Sequence, residues 1–298
     1  MMPISNWPIR SQIALMLAAI TLPLAVLAAL GIWKAASDRW EAEAGHLAVL
    51  ARAAASETAG FLRSTEELLA RLSARPGVAA MGRQGCDPVF ETFTQQNLDY
   101  TNLVLADAEG RVICSAIPLD IGKSVRLTPA AMKAANQARD EGKLAVSQPA
   151  IGFTSGRWAF AAAYPVKDAA GRYHGTIGVG VDLVRMQPLG QRSDIKMAAG
   201  NVMLVNAAGL VLAGGGGKNL HAGMRLNEAV AGELPAAGES NWRLAGTGDL
   251  ERLYARVPVE GTPWYAVAAT DYAPLRAAIW RDVTMFGGLA ALVVLTGC

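Results

Sequence analysis

The sequence predicts an α+β protein: two similar sheet units in tandem on a long amino-terminal helix, flanked by membrane-spanning helices. Three observations predict it. A strand–turn–strand pattern at residues 104–116 (VLADAEGRVICSA) returns at 203–215 (MLVNAAGLVLAGG), with Asp107 answering to Asn206, Gly110 to Gly209 and Val112 to Val211. Each copy is followed by a second hairpin pattern, at 163–183 (AYPVKDAAGRYHGTIGVGVDL) and 255–272 (ARVPVEGTPWYAVAATDY). The excess of apolar residues is gathered at the two ends of the chain. A repeat of this kind constrains the whole fold, because each copy must bury its apolar face in the same way.

The composition narrows the function class. Hydrophobic residues make up 52% of the 298 residues and charged residues 17%, which is apolar for a soluble protein. The formal net charge is +2. No basic patch with interleaved aromatics appears, so nucleic acid is not expected as a partner.

Residues 13–33 (IALMLAAITLPLAVLAALGIW) carry no charge. At about 1.5 Å per residue they span roughly 30 Å, the thickness of a bilayer's hydrocarbon layer. Arg10 and Lys34 flank the stretch, Trp7 and Trp33 suit the two interfaces, and Pro23 is tolerated in a membrane helix. An uncleaved anchor preceded by a cytoplasmic tail (residues 1–12) is expected. The competing reading is a cleaved signal peptide, whose apolar core normally runs about 7–15 residues.

Residues 34–76 read as a long stalk helix. Trp40, Ala44, Leu47, Ala51, Ala54, Thr58, Phe61, Thr65, Leu68 and Leu72 recur at steps of three and four and form one stripe. Glu41, Glu43, Arg52, Glu57, Arg63, Glu66 and Arg71 fall off it, and Pro76-Gly77 stops the helix. The stripe can lie along more than one unit, face a twin helix in a dimer, or bury itself on its own domain alone.

The first unit is expected over residues 77–183. A short helix begins at Asp87-Pro88, and the opening hairpin follows. A second helix starts at Thr128-Pro129 and closes near Gly142. Strand segments follow near 144–146, 150–153, 157–166 and 173–183, giving an antiparallel sheet with helices packed on it. Cys86 and Cys114 are the only cysteines between the two apolar ends. Their positions fit a bridge from the start of the short helix to the second strand of the hairpin, which implies an oxidising compartment outside the cytoplasm. Two buried free thiols are the alternative. Cys298 has no assigned role.

A connector at 184–200 leads to the second unit, 201–271. Gly214–Gly217 could be taken for a phosphate cradle. That cradle needs a Lys followed by Ser or Thr, and Lys218 is followed by Asn219. Residues 272–298 turn helical and become apolar, and read as a second membrane helix, apparently truncated. The terminal LTGC matches a lipid-attachment site only by chance, because that site ends a signal peptide at the other terminus.

Catalysis is not expected, nor is a cofactor. His46, His174 and His221 stand apart, with no partner at metal-ligand spacing. No serine occupies a G-x-S-x-G turn. Asp107 and Asp182 can be drawn as a carboxylate pair, but Asp107 sits at a turn where Asp serves the backbone.

The strings at 102–116, 163–183 and 253–267 (LYARVPVEGTPWYAV) resemble the double Cache (PDC-type, tandem PAS-like) sensor domains of bacterial transmembrane signalling proteins. These are the extracytoplasmic heads of chemoreceptors, sensor histidine kinases and diguanylate cyclases. The pair Cys86 and Cys114 resembles a subset of them. The resemblance covers most of residues 34–280. It implies a periplasmic or extracellular head on the cell membrane that binds a small molecule in its membrane-distal first unit and relays the signal to a cytoplasmic output. A homodimer is the implied assembly.

The implied pocket residues are Arg126, Ser147, Arg157, Trp158, Phe160, Tyr164 and Asp182. Trp158, Phe160 and Tyr164 alternate and so share one strand face. An aromatic wall with a few polar groups suits a small-molecule pocket, although the same three residues also read as core. Arg126 or Arg157 would pair with a ligand carboxylate, and Asp182 would accept from an amine. The amino-acid-binding members carry an Arg followed closely by Trp and Tyr. Residues 125–135 (VRLTPAAMKAA) keep Arg126 without the aromatics, which speaks against an α-amino acid and leaves an organic acid or other small anion. Three readings compete: a ligand-sensing receptor head, the input part of a cyclase or kinase, and a ligand-free dimerisation head.

Overall fold

Apolar and small residues spaced three and four apart make a single helical face, and the chain forms one unbroken helix, α1 (Ile9–Ser73), with Pro23 inside it. The computed structural model describes residues 9–83, 85–118, 125–152, 156, 158–183, 200–215, 221–235, 238–245, 251–274, 276–278, 280–281 and 284–285. The segments expected as an anchor and as a stalk thus belong to one helix, with no break at Lys34. Among the described residues no helix is long and apolar enough to cross a membrane; many side chains of the 13–33 stretch lie outside them.

The stripe is the buried face of α1. Ala44, Leu47, Ala51, Ala54, Thr58, Thr65 and Leu72 are buried, and Trp40, Phe61 and Leu68 pack at the margins. The Thr58 and Thr65 hydroxyls donate to the carbonyls of Ala54 and Phe61, at 2.8 and 2.9 Å, so neither is buried unpaired. One apolar core joins this stripe to both sheets, from Leu103 and Ile177 to Leu204 and Leu253. The helix therefore supports both units.

Past Ser73 the chain turns through α2 (Pro76–Ala79) and α3 (Val89–Gln96). It then builds the first unit from β1 (Tyr100–Asp107), β2 (Val112–Ser115), α4 (Pro129–Glu141), β3 (Ala145–Val146), β4 (Ala150–Ile151), β5 (Trp158–Lys167) and β6 (Tyr173–Asp182). The strands form a six-stranded sheet in the order β2-β1-β6-β5-β3, with β4 also on β5. Thr128 caps α4 by accepting from the Ala131 N–H, and Gly142 ends it in the left-handed region at φ 70°. Cys86 and Cys114 form a disulfide, which decides between the bridge and the free thiols.

The second unit comprises β7 (Gly200–Asn206), β8 (Val211–Gly215), α5 (Glu228–Glu233), β9 (Ser240–Ala245), β10 (Glu251–Pro258) and β11 (Trp264–Asp271), in the sheet order β8-β7-β11-β10-β9. Every described strand pair is antiparallel. The connector at 184–200 lies outside the described residues except for Gly200, and the carboxy-terminal segment lies outside them from residue 286. At its start, Tyr272 meets Trp40 of α1 edge to face, 6.0 Å between centroids.

The repeat is geometric as well as sequential. Asp107 Oδ1 accepts from the N–H groups of Glu109 and Arg111, and Asn206 Oδ1 accepts from those of Ala208 and Leu210. Gly110 and Gly209 close the two turns at φ 78° and 72°, where a side chain would be strained. Beyond the hairpins, Arg111 bridges to Arg126 and Leu210 to Arg225. Each hairpin is thus tied the same way to the segment that leads into its helix.

Candidate functional site

Alternation gives the first sheet two faces. Residues paired across antiparallel strands share a face, so the register sorts them. Phe160 pairs with Val181, Ala162 with Val179, and Tyr164 with Ile177. Leu103 also pairs with Val179, and Leu105 with Ile177. All of these belong to the core against α1. The opposite face carries Val104–Gly178–Ala163 and Asn102–Gly180–Ala161 as two cross-strand rows. Above that face sits a cavity of about 720 Å³, roofed by Val125–Ala131 at the start of α4 and by Gln148, Ala150, Ile151 and Gly152.

Side-chain size explains the cavity. The register places the second unit's counterparts at Met203–Val267–Arg256 for the first row, and at Ala269–Tyr254 for Gly180–Ala161. Met203, Val267, Arg256 and Tyr254 are all buried. Tyr254 stacks on Trp242 with centroids 5.5 Å apart. The Arg256 guanidinium lies over Tyr265, and donates to the Leu234 carbonyl and to Ser240 Oγ. Burial holds the Tyr254 hydroxyl above its ordinary pKa. Where the second unit is filled by Tyr254 and Arg256, the first has two alanines.

The polar groups around the cavity are mostly engaged with one another. Asn102 donates to Ser115 Oγ at 3.0 Å, and its Oδ1 accepts from the Ile117 N–H at 3.1 Å. Ser147 Oγ accepts from the Ala161 N–H and donates to the Gln148 carbonyl, each at 2.9 Å. Thr176 Oγ1 and the Tyr173 hydroxyl are 2.7 Å apart. Arg126 is exposed at the mouth and gives one Nη1 bond to the Glu109 carbonyl at 3.2 Å. The first turn of α4 presents the positive end of its dipole above the floor.

The structure brings Arg126 and Ser147 to the cavity lining, where Phe160 also borders it from a strand that turns its ring to the other face, and leaves Trp158, Tyr164 and Asp182 off it. The aromatics do share a face, but it is the one turned toward α1 and the second unit. The Phe160 and Trp264 rings meet at 4.9 Å and 76°. Gly223 lies so close to the Trp158 indole that a Cβ there would collide with it. Tyr164 packs at the edge of the α1 core. Asp182 is 1% exposed at the end of β6, opposite Ala159. Arg157 lies outside the described residues. Sequence reasoning missed Asn102, Ser115 and the floor itself. The available signal was small residues at every second strand position: Ala159, Ala161 and Ala163 on one strand, Gly178 and Gly180 on the next.

A family model described as a Cache domain matches residues 36–279. Among solved structures, the extracellular domain of rpHK1S-Z16, described as a histidine kinase, is similar with a TM-score of 0.62 at 15% identity, covering 78% of this chain and 95% of that one. The ligand-binding domain of the Pseudomonas fluorescens chemoreceptor CtaA, in complex with L-serine, has a TM-score of 0.55 at 19% identity, covering 78% and 99%. That of the Pseudomonas aeruginosa PAO1 amino acid chemoreceptor PctC, in complex with GABA, has 0.54 at 21%, covering 77% and 100%. At these identities the likeness is one of fold. A search of curated proteins finds no match.

Proposed function

Because the chain belongs to the Cache domain family, we propose that it is the ligand-sensing, extracytoplasmic input region of a bacterial transmembrane receptor. One observation carries the reading: of two units built on the same plan, the first is hollow where the second is filled. A ligand needs a concave site with a few convergent polar groups, and the first unit has one. The CtaA and PctC domains, solved with L-serine and GABA, support a small-molecule ligand. The site comprises Arg126, Asn102, Ser115 and Ser147 over the alanine–glycine floor.

In this reading residues 77–183 form the membrane-distal sensing unit and residues 201–271 the relay. Residues 13–33 anchor the head, and Val26, Leu27, Leu30 and Trp33 there are exposed large apolar side chains. The strand β11 runs straight into Tyr272, which rests on Trp40. In this reading the start of the carboxy-terminal segment is held against α1. A ligand that binds one packing of the head better than another shifts the spacing of that segment and α1.

The test is a thermal-shift screen of the full chain in lipid nanodiscs, run on the wild type and on Ala161→Tyr, the residue that the second unit carries at the same place. A ligand raises the wild-type midpoint by mass action and leaves the variant's unchanged. Equal stabilisation of both proteins overturns the site.

A further inference from the structure

We propose that the first unit takes a carboxylate with a compact apolar body and no ammonium group, a branched-chain or aromatic carboxylic acid rather than its amino acid. This rests on the reading of the first-unit cavity as the ligand site. The floor offers methyl groups and bare backbone from Ala161, Ala163, Gly178 and Gly180, with Val104 beside them. Such a floor rewards burial of an apolar body, at roughly 25 cal/mol per Å² removed from water.

Among the described residues that line the cavity, the charged end has one partner of opposite sign. Among the described lining residues, Arg126 is the only formally charged side chain. The Glu109 carbonyl takes one of its donors, and a guanidinium has five, in a fork that matches a carboxylate. An ammonium would need acceptors instead. No carboxylate stands among the described lining residues, and Asn102 Oδ1, Ser147 Oγ and Thr176 Oγ1 are already engaged with Ile117, Ala161 and Tyr173. An ammonium seated there would meet no opposite charge among those residues, and a buried charge without a counter-charge is strongly unfavourable.

Two trios of probes separate the alternatives, because each shares one skeleton: 3-phenylpropanoate, phenylalanine and 2-phenylethylamine; isovalerate, valine and isobutylamine. Each is titrated calorimetrically into the full chain in lipid nanodiscs. The expected result is binding of the two acids alone, lost in Ala161→Tyr and weakened about tenfold or more in Arg126→Ala, with partial recovery in Arg126→Lys. If Ala161→Tyr fails to fold, Val104→Met, which installs the residue of the second unit, fills the same floor.

Amino acid or amine binding that equals acid binding and is lost in Ala161→Tyr overturns the ligand class and leaves the site standing. Acid binding untouched by Arg126→Ala, or no binding by either acid, also overturns the class. Acid binding that survives a filled floor overturns the site reading itself.

Discussion

Phe160 of the first unit and Trp264 of the second meet edge to face, their ring centroids 4.9 Å apart and their planes at 76°. Each is 2% exposed. Strand β5 thus alternates between two tasks. Ala159, Ala161 and Ala163 line the cavity, while Phe160 and Trp158, between and beside them, hold the second unit. The two tasks meet on one strand, so the cavity floor and the joint share a backbone.

Phe160→Ala is expected to cost about 3–5 kcal/mol, the usual price of emptying a buried aromatic site. The loss should appear as a lower midpoint of one transition, because both units also share the α1 core. Chemical denaturation followed by circular dichroism checks this. A single transition at the wild-type midpoint counts against the joint.

The turn at Asp107 predicts an asymmetry between two substitutions. Its Oδ1 accepts from the Glu109 and Arg111 N–H groups at 3.1 and 2.7 Å, and Oδ2 from Arg111 Nε at 2.7 Å. Asn206 performs the backbone part alone in the second unit. Asp107→Asn should therefore lose only a surface ion pair, under about 1 kcal/mol. Asp107→Ala leaves the turn N–H groups without their acceptor and should cost about 1–3 kcal/mol. Urea denaturation of both variants measures the difference.

Asp87 predicts an acid limb in the stability profile. The Arg75 hydrogen bonds hold its carboxyl below the ordinary carboxylate pKa, against the upward push of burial, and the Val89 N–H adds to the lowering. A carboxyl depressed in the folded state stabilises fully above its unfolded pKa of about 3.9, and that stabilisation is lost as pH falls through the folded value. Asp87→Asn should thus be less stable than wild type near neutral pH, with the gap closing below about pH 4. Denaturation midpoints across a pH series test the sign.

The disulfide closes a separation of 28 residues and ties the end of the α1–α2 region to β2. In the chain-entropy account such a loop contributes about 3–4 kcal/mol. The double substitution Cys86→Ser, Cys114→Ala should lower the unfolding free energy by that amount, in parallel with reduction of the wild type.

What the sequence determined by itself is what is local or repeated. The α1 stripe was legible because helical periodicity is written in consecutive residues, and Asp107 with Gly110 announced a turn that Asn206 with Gly209 repeated. The positions of Cys86 and Cys114 fitted a bridge but left free thiols open, and the structure brought the two together. Alternation put Trp158, Phe160 and Tyr164 on one face, but a strand has two faces and alternation does not say which one a helix covers. Tertiary structure decided that α1 and Trp264 take the aromatic face, and so left the cavity over the alanines between them. It also decided the cavity. Empty volume belongs to no residue: it is what remains when Val104, Gly178 and Ala163, far apart in sequence, are brought side by side by strand register, at a place where Met203, Val267 and Arg256 leave no room.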